Sequence, residues 1–398
     1  MKRGWIWLLA TCVLLTGCTG GGEQETAEPE GSEQVEQTVP VEDLAPAPEG
    51  LTMELEHDAY DPSLTSYTYL IHNGTDETVE FGEPYAIQKK EDGGWVDLTM
   101  RDNVGWTAIG YVLEPGGTMA LTCGFWLYEE TPEAGKYRLT KEVGGALVTA
   151  EFTLGESIYT AETPYGFGPL EDLPERYGAA DAAGTGAVVF TDTGTENSQA
   201  VGEFLQKAAL GVPCQLRTVQ DHGESDPMVI DVIYENDCFL WRMRSGGTDV
   251  TEQRLSYVVT DGTDIYLSNG ADWDAGERYG DQRVFLVPPL QGTEWVSQVE
   301  SMTADRLAWN VTRYKLWSDD GIWCAELNDE PTAFSVSWQK PGEGSGGSTY
   351  DLADWDGLET AITGISWRED GQLTVKCETA DGGISRLTFD PETETLTG

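Results

Sequence analysis

From Leu51 onward, apolar and polar positions alternate with a period of two. Leu51, Met53 and Leu55 alternate with Thr52, Glu54 and Glu56, and Val148, Ala150, Phe152 and Leu154 with Thr149, Glu151 and Thr153. Tyr67, Tyr69 and Ile71 form one more such run, and Met119, Leu121 and Cys123 another. Turn signals separate them: Asp61-Pro62, Asn73-Gly74, Asp92-Gly93-Gly94 and Pro115-Gly116-Gly117. Short alternating strands between turns predict a β-sandwich. After a looser stretch over 157–185, Ala187-Val188-Val189-Phe190 predicts a buried strand. A helix is expected next. Asn197 or Ser198 would cap it, Val201, Phe204, Leu205 and Ala208 would form its apolar stripe, and Gly211 would end it. Further runs follow near 214–220, 228–234, 238–243, 256–260 and 264–268. Beyond 285, Phe334, Val336 and Trp338 alternate with serines, the segment 364–391 reads as a meander, and short helices are expected near 294–308 and 356–362. The fold class is therefore mainly β, an immunoglobulin-like β-sandwich followed by an α+β region of antiparallel sheets with a few short helices.

The residues before this pattern are of another kind. Lys2 and Arg3 precede an apolar run, Gly4 to Leu15, too short for the roughly 20 residues of a membrane span. Leu15-Thr16-Gly17-Cys18 then resembles the lipobox of bacterial lipoproteins. That resemblance implies a leader over 1–17, lipidation of Cys18, and attachment to the outer face of a cell membrane, in a Gram-positive bacterium. Residues 18–49 read as a linker. From 19 to 49 there are nine acids, no Lys or Arg, and four prolines (Pro29, Pro40, Pro46, Pro48). Such a segment cannot bury enough apolar surface to fold, and as a coil it spans roughly 30 Å.

Within 50–156, "YTYLIHNGTDETVEFGEPYAIQKKEDGGW", "LEPGGT" and "AGKYRLTKEV" together resemble the bacterial immunoglobulin-like domain of Gram-positive surface lipoproteins. Asn73, Tyr85, Trp95, Leu113 to Gly116 and Gly135 to Arg138 carry the resemblance, which implies an extracellular sandwich without catalytic residues. The cysteine pair of antibody domains is missing. Tyr137, at a strand start after a glycine turn, is either a tyrosine corner or a plain core residue. Residues 157–185 read as a connector, 186–284 as an α+β domain, and 285–398 as a strand-rich region either separate from it or continuous with it. The stretch around Asn197, "GVPCQLR" and "IDVIYENDCFLW" resembles, more weakly, an uncharacterised domain of other Gram-positive lipoproteins, which adds only a fold expectation.

Charge narrows the partners. The formal net charge is −47 over 398 residues. That opposes nucleic acid, whose affinity comes from cations neutralising phosphates, and equally opposes anionic headgroups. Beyond Cys12 and Cys18 the cysteines are Cys123, Cys214, Cys238, Cys324 and Cys377. No pair has metal or redox spacing. All five read as core residues, with room for one disulfide that the sequence does not assign.

Candidate chemistry is sparse. His57, His72 and His222 are the three histidines, and no serine or cysteine sits in a nucleophile-elbow context. Asp221-His222 are adjacent, the wrong geometry for an orienting carboxylate. Asp272-x-Asp274 and Asp354-x-Asp356-Gly357 have part of a Ca2+ loop's spacing, but neither reaches the closing Glu. Solvated acidic loops are the plainer reading in a chain with 70 acids. Fourteen tryptophans include several beside Gly or acids (Trp106, Trp273, Trp317, Trp323, Trp355), without a linear pattern that marks a binding platform. The expectation is a lipid-anchored, non-enzymatic binding module for a surface protein, peptide or glycan. The first alternative is a solute-binding or hydrolase-like component with its site in the C-terminal region, which Arg217 and Arg242 around a pocket would favour. The second is an accessory partner of a membrane sensor.

Overall fold

A computed structural model of the chain describes residues 44–398, apart from 103, 224, 275–281, 308–313, 329–330, 341–343, 355–360 and 380, and apart from the side chains of 303–307 and 354. The first eleven strands are β1 (Ala45–Pro46), β2 (Leu51–Leu55), β3 (Ala59–Tyr60), β4 (Ser66–Asn73), β5 (Val79–Gly82), β6 (Ala86–Glu91), β7 (Gly94–Asp97), β8 (Gly110–Leu113), β9 (Thr118–Gly124), β10 (Gly135–Val143) and β11 (Ala146–Leu154). One sheet runs β1-β11-β10-β6-β7, with β3 also on β11; another runs β2-β4-β9; β5 pairs with β8. Their inward positions meet in one core rich in aromatics, including Tyr67, Tyr69, Tyr128, Tyr137 and Phe152. The alternation read from the sequence is what builds it: β11 buries every second residue. The expected linker ends earlier than drawn, because Ala45 and Pro46 already pair in parallel with Ala146 and Leu147.

Two residues of the immunoglobulin-like pattern organise loops. Asn73 is fully buried and donates from Nδ2 to the carbonyls of Glu77 (2.8 Å) and Leu113 (2.9 Å), while its Oδ1 accepts from Thr75 N–H. The Tyr137 hydroxyl donates to Glu133 O at 3.0 Å, so the tyrosine corner is formed.

The second region has β12 (Val188–Thr191), β13 (Gly194–Glu196), β14 (Cys214–Gln220), β15 (Met228–Glu235), β16 (Cys238–Ser245) and β17 (Thr251–Leu255), in sheet order β13-β12-β14-β15-β16-β17. Helices α1 (Ala179–Ala182), α2 (Gln199–Ala209) and α3 (Val296–Leu307) accompany it. Val201, Phe204, Leu205 and Ala208 of α2 pack with Leu216, Val232 and Phe239 on one sheet face, together with Trp295 and Val299. The helix ends as expected. Gly211 takes φ +78°, its N–H bonds Ala208 O, and Val212 N–H bonds Lys207 O, a Schellman closure. Its start differs from expectation. Ser198 already has helical angles and makes no side-chain cap. Asn197 instead donates from Nδ2 back to Gly186 O at 2.5 Å.

The opposite face of this sheet is crossed by residues 167–182. Leu170, Tyr177 and Ala182 bury against Val189, Val219 and Val229. The expected connector is thus a strap lying on the sheet. Next come β18 (Tyr257–Thr260), β19 (Ile265–Ser268) and β20 (Arg283–Phe285), which form a three-stranded sheet. Then β21 (Lys315–Trp317), β22 (Trp323–Leu327), β23 (Ala333–Lys340) and β24 (Gly344–Asp351) form one antiparallel sheet. A second contains β25 (Ile362–Trp367), β26 (Leu373–Glu378), β27 (Ile384–Asp390) and β28 (Thr395–Thr397). These two share a core around Phe334, Val336, Val375 and Phe389. The helix expected near 294–308 is present as a 3₁₀ turn followed by α3. Most of the one expected near 356–362 falls outside the described residues, and Ile362 itself opens a strand. No helix among the described residues is long and apolar enough to cross a membrane.

Candidate functional site

Strand register places four charges in one row across the second sheet. Arg217 on β14 faces Asp231 on β15, Asp231 faces Arg242 on β16, and Arg242 faces Glu252 on β17. Alternating signs on directly opposed strands attract at each step. The inner pair is buried, with Arg217 3% and Asp231 1% exposed. Arg217 bonds Asp231 with two prongs, Nε to Oδ1 at 2.7 Å and Nη2 to Oδ2 at 2.6 Å, and Gln215 donates to Oδ2 at 2.9 Å. Burial pushes the Asp231 carboxyl up, against the pull of Arg217, Gln215 and Arg242. Arg242 is shared by Glu252 (Nε to Oε2, 3.1 Å) and Glu171 of the strap.

The strap is fixed from below by cations. Arg217 Nη2 donates to Gly168 O at 2.5 Å, and its guanidinium lies 4.9 Å from the Phe167 ring centre. Arg244, 2% exposed, donates to the carbonyls of Leu170 and Leu173 at 2.9 Å and to Pro174 O. These bonds satisfy backbone groups that an irregular segment on a sheet would otherwise bury unpaired.

The strap stops short of the β15–β16 turn and leaves an open cleft of about 830 Å³ there. Ile233, Leu240 and Cys238 line its floor. Glu162 and Tyr165 line one side, where the Tyr165 hydroxyl bonds the Glu235 carboxylate. Arg254, Trp317, Gly321 and Lys340 line the other. The Trp317 indole N–H is buried and has no acceptor among the described residues. Burial pushes the Cys238 thiol up to about 11, so at neutral pH it is a protonated, weak nucleophile.

The sequence candidates fare differently. Arg217 and Arg242 do converge, through the shared Asp231, and Arg242 lines the cleft while Arg217 lies under the strap. Asp272 and Asp274 lie after β19, partly buried and exposed respectively. Asp356 and the side chain of Asp354 lie outside the described residues, as does Cys18. Among the described residues no three His, Cys, Asp or Glu side chains group as metal ligands. In the turn before β19, Asp261 accepts from Thr263 and Asp264 N–H at 2.8 Å and from the Tyr266 hydroxyl at 2.9 Å. Asp264 is buried and accepts from Leu290 N–H at 2.7 Å.

His222 pairs with Asp192 at 2.8 Å, both exposed, and its neighbour Asp221 bonds Ala179 N–H instead. His57 stacks on Tyr159 with ring centres 3.6 Å apart, and burial, helped by Lys207, lowers it to about 4. The cysteine expectation needs correction. All five are free, so no disulfide joins them. Four are buried, but Cys238 opens onto the cleft, because the sheet face it shares with Leu240 is the one the strap leaves bare.

The sequence reading missed Asp231, Arg254, Lys340 and Tyr165. Asp231 did carry a signal. It is the single charge inside the apolar run Met228 to Tyr234, a position that only a buried partner makes tolerable.

Residues 47–155 match the family model of a bacterial Ig-like domain. No curated protein matches the chain. Among solved structures, the alkylpurine DNA glycosylase AlkC of Pseudomonas fluorescens is similar at 13% identity and TM-score 0.18, over 28% of this chain and 32% of its own. The chain therefore spans about a third of that enzyme. The archaellum periplasmic stator protein FlaG of Sulfolobus acidocaldarius is similar at 13% identity and TM-score 0.18, over 26% of this chain and 99% of its own. The PapD-like domain 7 of human CEP192 is similar at 12% identity and TM-score 0.16, over 35% and 99%. Overlaps this slight say nothing about activity.

Proposed function

We propose that the chain is a lipid-anchored extracytoplasmic protein of a Gram-positive bacterium, and that it works as a non-enzymatic binding module whose ligand sits in the cleft. The leader pattern ending in Cys18 and the Ig-like segment support the address. One observation carries the binding role. The cleft joins an apolar floor, Ile233 and Leu240, to polar and aromatic walls, the common make-up of a small-molecule site. Its groups favour holding over reacting, since Asp231 is locked to Arg217 and the Cys238 thiol stays protonated. The meeting of Arg242 and Asp231 at the cleft supports the solute-binding form of this reading.

The address is tested by metabolic labelling with an alkynyl fatty acid. The expected result is label on the full chain and none on Cys18→Ala, and equal labelling of both removes the anchor. The binding role is tested by Leu240→Arg, which fills the floor. Ligands captured by the full chain from its native medium should be lost in that variant, and undiminished capture removes the cleft from the function.

A further inference from the structure

The chain has 70 acidic and 23 basic residues, and yet, among the described residues, the buried Lys141 and Arg244 bond backbone carbonyls and no carboxylate. Several other cations have one: Lys89 has Glu133, Lys207 has Glu56, Arg217 has Asp231, and Arg242 has Glu171 and Glu252. Arg254 and Lys340 both line the cleft, both are half-buried, and neither has an ion-pair partner among the described residues. Resting on the binding role above, we propose that this end of the cleft takes the carboxylate of a small organic acid, with the acid's apolar body on Ile233 and Leu240.

Register supports the pairing of charge and floor. Gln215, Ile233, Leu240 and Arg254 face one another across four strands, so Arg254 is the direct cross-strand neighbour of Leu240. A carboxylate on Arg254 therefore brings the attached carbon chain over Leu240 and Ile233. The Arg254 side chain passes close over Gly321, where φ is +67° and any Cβ would overlap it, so a glycine there leaves it room. Lys340 lies 5.8 Å and 5.5 Å from the ring centres of Trp323 and Trp338, which steady an ammonium without cancelling its charge.

The remaining charges of the cleft orient the ligand. The row Arg217, Asp231, Arg242 and Glu252, with Glu171 also on Arg242, carries one net negative charge. Glu162 and Glu235 stand with Tyr165, on the strap side, and repel an anion toward Arg254. An Arg fork matches a carboxylate with two parallel bonds.

The test is calorimetric titration of the full chain in detergent with a matched pair, 3-phenylpropionate and 3-phenylpropionamide. The acid should bind about tenfold tighter, the worth of one charge-assisted hydrogen bond. Added salt should narrow the gap. Arg254→Gln and Lys340→Gln should each reduce the acid's affinity and leave the amide's alone, with Arg254→Lys keeping part of the preference. Unchanged thermal melts rule out misfolding as the cause. Equal binding of acid and amide, with both lost in Leu240→Arg, overturns the carboxylate assignment and leaves the binding cleft standing. A preference for the acid that survives both Gln variants overturns the assignment to these two residues. If neither compound titrates at millimolar concentration, the proposal falls for this class of acid, and capture by the full chain against Leu240→Arg still decides the binding role.

Discussion

Two regions of the molecule use a buried cation to bond the carbonyls of an irregular segment, and the cations differ. In the sandwich, Lys141 is 2% exposed and donates from Nζ to the carbonyls of Gly82 (2.6 Å), Glu83 (3.1 Å) and Pro84 (3.0 Å). In the second sheet, Arg244 is buried to the same degree and holds the carbonyls of Leu170, Leu173 and Pro174. An ammonium is a compact charge that can shed its proton, and burial lowers Lys141 to about 8. A guanidinium spreads its donors over a rigid fork and keeps its charge. The cation under the sandwich loop can therefore lose its charge as pH rises, and Arg244 under the strap keeps its own. A short loop between paired strands needs one point of attachment; a long irregular strap needs several directed ones.

The sharpest break of this contrast is Arg217→Met. It strands the Asp231 carboxylate and should cost about 3–5 kcal/mol in denaturant unfolding. The double change Arg217→Met with Asp231→Leu should recover most of that. Next is Arg244→Lys, which keeps the charge and loses the fork. A loss of about 2 kcal/mol is expected, with faster amide exchange confined to residues 168–175. Unchanged exchange there would show that the strap is held by Leu170 and Tyr177 alone.

The third probes pH. The unfolded chain keeps the lysine proton until about 10.5, and the folded one releases it near 8. Folding thus sheds a proton in that window, so the Lys141 contribution to stability rises from pH 8 to 10.5. The neutral amine still has two N–H groups for the three carbonyls. Lys141→Met should flatten that rise in melts taken across the window. The smallest effect is Tyr137→Phe, which removes the bond to Glu133 O and should cost about 1 kcal/mol.

The sandwich was legible because its strands have one buried and one wet face, so Leu51 to Leu55 and Val148 to Leu154 announce themselves. Helix α2 was legible from its stripe, although Asn197 misled by bonding backward. The edge strands β17 and β24 were not. "TEQRL" buries only Leu255 and "GSGGSTYD" buries none of its positions, so neither shows an apolar period. Losing β17 hid the site, since the charge row and the Leu240–Arg254 pairing exist only once its register is known. The cysteines were read as core residues, Cys238 because it shares a strand face with Leu240. Parity gives a side and does not say what covers it, which is why Cys238 was misplaced.

The parallel pairing of β1 with β11 has a mechanical consequence. Tension entering ahead of Ala45 and leaving beyond Leu154 draws the two strands lengthwise past each other. In that shear geometry the interstrand bonds share the load instead of peeling apart in turn. The entry point of the folded part is thereby its first resistance to a tug.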